Sequence, residues 1–383
     1  MDVLQNVSVT VDELLRKSAR RWPRRAALID DTGVVDYQTL LQQVERAKEA
    51  LKAAGVKPGH CIALMGRDGR AFVVSAFAAV GCGAVVMPTA PRLTHWELSR
   101  MLDSASVHAI LDDGTGVLPA SWRFHRIPIG SDLQVRLGWR EHQPVGSVKD
   151  LVPDAAFIRF TSGTTGASKG VVLSHKDVIE RTAAANRGLG LGSRDTVLWV
   201  LPMAYHFFVS IVLYLRYGVT VVVCREHLAR ALLETANRHQ ATFLYASPLQ
   251  YRWLVADESD TRFSHLCHAV STSTRLDPRT AELFSQRYGL PVAQAYGIIE
   301  VGLPMVNLDG AATRPGSVGR AQPDFEVALF GEGGMGKLVC PCMGPAQLKP
   351  VPDGKVGQLA VRGPGMFSAY LNPPKLREEV LVD

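Results

Sequence analysis

Between Phe160 and Gly170 the chain reads FTSGTTGASKG, directly after the apolar run 156–160. Thr161, Ser162, Thr164, Thr165 and Ser168 place hydroxyl donors within one short loop. Gly163, Gly166 and Gly170 let backbone N–H groups turn toward a ligand, and Lys169 adds a mobile cation. Hydroxyls, free amides and a positive charge are what a polyphosphate requires. The pattern is not a Walker A loop, which needs Gly-Lys-Ser/Thr; here Lys169 stands between Ser168 and Gly170. A P-loop kinase or ATPase therefore loses its main support. A flexible surface turn would explain three or four such residues, but not this whole string after a strand.

Other residues that could do chemistry are less telling alone. His206 sits among Tyr205, Phe207 and Phe208, where a lone histidine is by default a packed core residue. Glu300 by itself is an ordinary loop carboxylate, and Tyr296 by itself an ordinary core aromatic. Cys340-Pro341-Cys342 and the His265/Cys267/His268 cluster lack a matching second pair at zinc spacing, so neither reads as a metal site. The 6 cysteines are too sparse for a disulfide framework and suit a reducing, cytoplasmic setting.

The elements that must hold these residues alternate in type. Strands are predicted at 61–64, 84–87, 108–111, 156–160, 197–200, 219–223, 242–244, 269–271 and 292–294, most separated by helix-length segments. That alternation predicts an α/β fold with two largely parallel sheets covered by helices. Leu40, Val44, Ala47 and Leu51 mark one helix face, ending before Gly55. Capping boxes are predicted at Thr10/Glu13 and Thr94/Glu97. The segment 112–150 is turn-rich with weak periodicity. After about residue 300, frequent Gly and Pro with short strands predict a small distorted β-barrel. The organisation expected is an α/β unit at 1–190 with the phosphate loop, a second at 191–300, and the barrel at 301–383.

Composition narrows the classes. With 383 residues, 47% apolar and 20% charged, the chain is a folded globular protein. Residues 71–90 carry no charge and 197–215 only His206, but Gly81, Gly83, Pro88 and Pro202 punctuate them, so no membrane span is expected. The net charge of +6 suits an anionic ligand. A basic helix face from Arg16 to Arg25 is best read as solvated, so no nucleic acid is expected.

The motifs resemble the adenylate-forming superfamily of acyl-CoA synthetases, firefly luciferases and nonribosomal-peptide adenylation domains. The loop 161–170 is the most specific match. Val35-Asp36-Tyr37-Gln38-Thr39-Leu40 and the buried stretch 79–91 are similar to earlier family motifs. Leu201-Pro202-Met203-Ala204-Tyr205-His206 is similar to its Pro-Met-Phe-His segment, and Gln294-Ala295-Tyr296-Gly297-Ile298-Ile299-Glu300 to its Tyr-Gly-x-Thr-Glu motif. Gly357–Leu359, Arg362-Gly363-Pro364, Tyr370 and Asn372 resemble a later one, and the order of all of them matches.

The resemblance implies the large N-terminal domain of an acyl- or aryl-CoA ligase. A carboxylate would attack the α-phosphate of ATP, giving an acyl-adenylate and pyrophosphate; coenzyme A, or the phosphopantetheine of an acyl carrier protein, would then take the acyl group. Thr161, Ser162, Gly163, Thr164, Thr165, Gly166 and Lys169 would hold phosphates. Glu300 would hold Mg2+, a hard cation suited to a carboxylate and phosphate oxygens. Ser271, Thr272, Ser273, Gln294, Ala295, Tyr296 and Gly297 would surround the nucleotide, with Tyr296 stacking on adenine. His206 would lie beside the reacting carboxylate, making His206, Lys169 and Glu300 the catalytic set. Tyr205, Phe207, Phe208, Tyr245, Ile298 and Ile299 would line the acyl pocket. No Asp lies at 204–210, which disfavours an α-amino acid and favours an apolar aliphatic or aromatic one.

Three departures from the family pattern stand out. Ile299 replaces the Thr before the metal-binding Glu, removing a hydroxyl near the α-phosphate. Ser271-Thr272-Ser273-Thr274-Arg275-Leu276 stands where many members have a Gly-rich turn. The Thr-Gly-Asp ribose motif, the hinge and the mobile C-terminal domain of roughly 100 residues with its catalytic Lys are not in the sequence, which implies poor turnover by this chain alone. Rival readings are a weak or non-adenylating acyl-adenylate-binding module, and an oxidative, luciferase-like member.

Overall fold

The computed structural model describes residues 9–116, 118, 119, 121–130, 133–144, 146–161, 169–226, 228–331, 351, 352, 354–371, 377 and 380. Two mixed sheets dominate, each largely parallel at its centre. The first has eight strands. Its centre runs Ala155–Phe160, Val85–Thr89, Cys61–Met65 and Ala109–Asp112, all parallel. Gly170–Ser174 and then Ala369–Tyr370 add antiparallel on one edge. The hairpin Arg123–Pro128 and Gln134–Trp139 adds on the other. The second sheet has nine strands. Its parallel part runs Val292–Ile298, His268–Ser271, Phe243–Ala246, Thr196–Trp199, Thr220–Val223 and Ala26–Asp30.

The central strands are near-continuous Val, Ile, Leu and Ala runs, as strands covered on both faces must be; every residue of Cys61–Met65 and Val85–Thr89 is buried. The helix Arg70–Gly81 is buried on nearly all sides, and Phe72 and Phe77 pack against Phe207, so one core joins the two sheets. Sheets and sequence ranges interleave. The pair Ala26–Asp30 and Gly33–Asp36 joins the second sheet, and Ala369–Tyr370 the first.

The predicted helix face Leu40, Val44, Ala47 and Leu51 is buried, and Gly55 takes a φ of 97° just beyond that helix. The capping box at Thr94/Glu97 forms. The one at Thr10/Glu13 does not: Thr10 makes no side-chain cap, and the Glu13 N–H donates to the Thr10 carbonyl at 3.2 Å, while the Val11 N–H donates to His175 Nδ1 at 3.1 Å. The donor of the box keeps a local acceptor, now main-chain, and His175 satisfies the first N–H of the helix. The turn-rich stretch after 112 holds the edge hairpin, whose alternation Gly138 and Pro128 obscure. The barrel is not seen among the described residues. Among the described residues after 300, Gly302–Val306 and Arg320–Ala321 extend the second sheet, and Glu326–Phe330 pairs only with Gln358–Arg362. Short strands with Gly and Pro between them suit a sheet edge as well as a barrel.

Both parallel systems end at one place. Thr161 follows strand Ala155–Phe160, Pro202 lies soon after Thr196–Trp199, Ser247 follows Phe243–Ala246 and Thr272 follows His268–Ser271. All four line the same cavity. Ligands in open α/β sheets bind outside the carboxyl ends of the strands.

Candidate active site

The cavity measures about 690 Å3. One end of it is the base of the glycine-rich loop. Thr161 and Lys169 close that base, Thr161 N–H donating to the Lys169 carbonyl at 3.0 Å and Lys169 N–H to Thr161 Oγ1 at 3.4 Å. The strands on either side, Ala155–Phe160 and Gly170–Ser174, pair antiparallel. Ser162, Gly163, Thr164, Thr165 and Gly166 lie outside the described residues, as do Ser168, Cys340, Cys342 and Asn372.

Glu300 sits in the turn between Val292–Ile298 and Gly302–Val306 and lines the cavity with Gly297, Ile298 and Ile299. Gly297 is needed there, because a Cβ would lie 2.5 Å from the Gly302 carbonyl oxygen. One Glu300 oxygen accepts the Tyr370 hydroxyl at 2.8 Å, and burial with the nearby Glu300 charge pushes that phenol up. Lys169 Nζ stands 5.6 Å from the Tyr370 ring centroid. The turn is anchored from below by the buried Arg181, which donates to the Ile299 carbonyl at 2.8 Å and to the Gly365 carbonyl through Nε at 2.9 Å. Burial lowers its guanidinium to about 10.

His206 ends the short helix Met203–His206, and a π-helical turn, Phe207–Ile211, follows at once. Such a turn widens the backbone and re-aims side chains. His206 faces the cavity between Trp199 and Tyr245, with ring centroids 5.9 and 6.5 Å away. Burial, then the Arg159 charge, pushes its imidazole down to about 3, so it is neutral at pH 7. The helix start is fixed from the other sheet: Asp68 Oδ1 accepts the Met203 N–H at 2.7 Å. Burial raises Asp68 to about 6, against that hydrogen bond and Arg225.

Of the residues expected from sequence, Thr161, Lys169, Tyr205, His206, Tyr245, Thr272, Ser273, Gly297, Ile298, Ile299 and Glu300 converge on this cavity. Six do not. Phe207 and Phe208 turn into the core, against Phe72 and Phe77 and against Phe157, because the π turn rotates them away. Val209, Ser210, Leu213 and Tyr214 take their place on the wall. Ser271 is buried behind Thr272 with its hydroxyl unpartnered among the described residues. Gln294 accepts from Leu276 N–H and donates to the Pro315 carbonyl, a loop anchor. Ala295 and Tyr296 are half-buried and off the cavity wall.

Sequence reasoning missed Arg159, Arg181 and Ser210. Arg159 carried a signal: it is the one charged residue of strand Ala155–Phe160, immediately before the phosphate loop. Ser273 carries another consequence of sequence. It replaces a glycine-rich turn and takes a φ of 75°, a left-handed conformation that costs a non-glycine residue on the order of 1 kcal/mol. Ser273→Gly is expected to raise the urea unfolding free energy by about 1 kcal/mol; a loss of stability would show that the side chain outweighs the backbone strain.

Burial also sets a pH dependence. His60, His108, His175, His206 and His239 all titrate below the ordinary imidazole value, burial being the largest cause each time. The unfolded chain binds those protons first, so their stability contribution is present above about pH 6.5 and is lost as pH falls below it. Asp68 acts oppositely: its raised value burdens the folded state above about 6 and relieves it below. One carboxyl against five imidazoles leaves the histidines in control. The urea midpoint should be lower at pH 5 than at pH 7.5; an equal or higher one would contradict this.

Among the described residues no three His, Cys, Asp or Glu gather to hold a metal ion. A divalent cation here has one carboxylate, Glu300, and would need ligand oxygens from a nucleotide. No helix of the described residues is long and apolar enough to cross a membrane.

A profile described as AMP-binding enzyme matches residues 15–371. The chain belongs to the AMP-binding enzyme family. Within this adenylate-forming superfamily it is 28% identical over 390 aligned positions to a feruloyl-CoA synthase of Amycolatopsis sp., covering 96% of this chain and 72% of that one. It is 25% identical to the sulfoacetate–CoA ligase of Cupriavidus necator, covering 97% and 73%. The fold matches the N-terminal domain of FACL13 from Mycobacterium tuberculosis with a TM-score of 0.79 at 18% identity, covering 98% of this chain and 94% of that one. As in that domain, the AMP-binding enzyme described here is a mixed α/β structure with helix-flanked sheets.

Proposed function

We propose that the cavity activates a carboxylic acid as its acyl-adenylate, for transfer to the thiol of coenzyme A. One observation carries the reading: Lys169 and Thr161 at the phosphate-loop base, neutral His206 and the Glu300 carboxylate all face one cavity at the ends of two sheets. The acid would lie toward Leu201, Val209, Leu213 and Tyr245, an aliphatic and aromatic wall that favours an apolar aliphatic or aryl acid. Its carboxylate would point past His206, whose neutral ring donates or accepts one hydrogen bond without adding charge. ATP phosphates would meet Thr161, Lys169 and the residues between them. Thr272, Ser273 and Gly297 would border the base and sugar. Mg2+ bound at Glu300 would neutralise charge on phosphate oxygens. The carboxylate oxygen bonds to the α-phosphorus as pyrophosphate leaves; a thiol sulfur then bonds to the acyl carbon as AMP leaves. The names of the two ligase relatives support coenzyme A as acceptor. Carrier-protein phosphopantetheine is the alternative. Reduced, unpaired Cys61, Cys82, Cys224 and Cys267 suit a cytoplasmic setting.

Ile299 favours a second reading, a module that binds acyl-adenylate without forming it, since its apolar side chain lines the cavity where a hydroxyl is expected. ATP–pyrophosphate exchange over a panel of aliphatic, aryl and α-amino acids tests both. Exchange with apolar acids is expected. Exchange with α-amino acids alone would overturn the substrate reading. No exchange even on prolonged incubation at high protein concentration, with tight binding of an acyl-sulfamoyl adenosine, would favour the binding module over the slow turnover expected of this chain.

A further inference from the structure

Among the described residues Arg159 is a cation without a carboxylate partner. It lies in the first sheet's strand Ala155–Phe160, two residues before Thr161 and so on the same strand face. Its Nε is sealed from solvent and meets no acceptor among the described residues. It makes no ion pair among them either; its guanidinium stands 5.6 Å from the Tyr205 ring centroid. The residue is half-buried and faces open cavity, and a partly desolvated guanidinium with a sealed N–H gains when an anion completes it. The carboxylate whose charge reaches it is Glu300, which is engaged by Tyr370.

The position says which anion. Arg159 lines the cavity already described and also a second one of about 680 Å3, flanked by Trp96 and Arg100; Phe160, Thr161 and Tyr205 are shared with it. Its charge is felt by His206 on one side, and it feels Glu300 on the other. The carboxylate to be activated and the phosphate that receives it meet between those two residues. The hydroxyl expected beside that phosphate is missing at Ile299. We propose that the Arg159 guanidinium binds the anion at the reacting centre, the α-phosphoryl group and the carboxylate condensing with it, in place of the lost hydroxyl. During the step one carboxylate O–P bond forms, the bond to the pyrophosphate oxygen breaks, and Arg159 neutralises the equatorial oxygens throughout. A fork of N–H donors suits both planar carboxylate and phosphoryl oxygens.

This inference rests on the adenylation reading, and the test separates the two. AMP and adenosine are titrated calorimetrically into the wild-type chain, Arg159→Met and Arg159→Lys. AMP affinity should fall on the order of ten- to a hundredfold in Arg159→Met and recover in part in Arg159→Lys. Adenosine, which lacks the phosphate, should bind all three alike. Unchanged AMP affinity in Arg159→Met would overturn the assignment. An equal loss for AMP and adenosine would also overturn it, showing that Arg159 only packs the site. Failure of the wild-type chain to bind either ligand would instead defeat the adenylation reading.

Discussion

Glu300→Gln is expected to lower acid-dependent ATP–pyrophosphate exchange by roughly a hundredfold to a thousandfold, with little change in stability. Glutamine keeps the side-chain length and still offers an oxygen to the Tyr370 hydroxyl, now bonded at 2.8 Å. The Glu300 main-chain carbonyl, which accepts the Phe367 N–H at 2.8 Å, is untouched. What the substitution removes is the negative charge. Among the described residues no group of three His, Cys, Asp or Glu stands ready to hold the cation in its place. The loss should be partly recovered at high Mg2+ concentration, as weakened cation binding requires. A variant that exchanges as fast as the parent at ordinary Mg2+ would remove Glu300 from the proposed machinery.

Arg181→Ala should have the largest effect on stability, about 3 kcal/mol in urea unfolding. The guanidinium is fully buried and links three segments: its own helix His175–Leu189, the Ile299 carbonyl and the Gly365 carbonyl. Removing it strands two buried carbonyl oxygens, each worth about 1–3 kcal/mol when unsatisfied. Desolvation of the arginine itself offsets part of that. Because Ile299 and Glu300 share the anchored turn, activity should fall with stability, and Arg181→Lys should restore less than half of either, since a single ammonium cannot span both carbonyls. A loss below about 1 kcal/mol would mean that the turn is held by its own hairpin.

Much of this site was legible before any coordinates because its residues are local in sequence. The phosphate loop declares itself by hydroxyls, glycines and Lys169, and Tyr296 to Glu300 by a short motif. The parallel strands follow from unbroken Val, Ile and Leu runs. What was not legible depends on side-chain direction or on partners distant in sequence. Phe207 and Phe208 read as pocket walls until the π turn sends them to Phe72, Phe77 and Phe157. Thr10 and Glu13 are the residues of a capping box, yet the Glu13 N–H goes to the Thr10 carbonyl and His175 Nδ1, far along the chain, takes the Val11 N–H. Tyr296 has the motif but not the cavity face. A single arginine in a strand or helix carries no pattern; Arg181 is marked by the two distant carbonyls it joins and Arg159 by its lack of a carboxylate partner among the described residues.

The most direct test of the central claim follows one oxygen atom. The chain is mixed with ATP, Mg2+ and a carboxylic acid labelled with oxygen-18, then quenched with hydroxylamine, and the AMP released is weighed by mass spectrometry. A single turnover suffices. If the cavity joins the carboxylate to the α-phosphate, AMP carries one labelled oxygen and the acid appears as its hydroxamate. Unlabelled AMP, or ADP and phosphate in its place, would contradict the account.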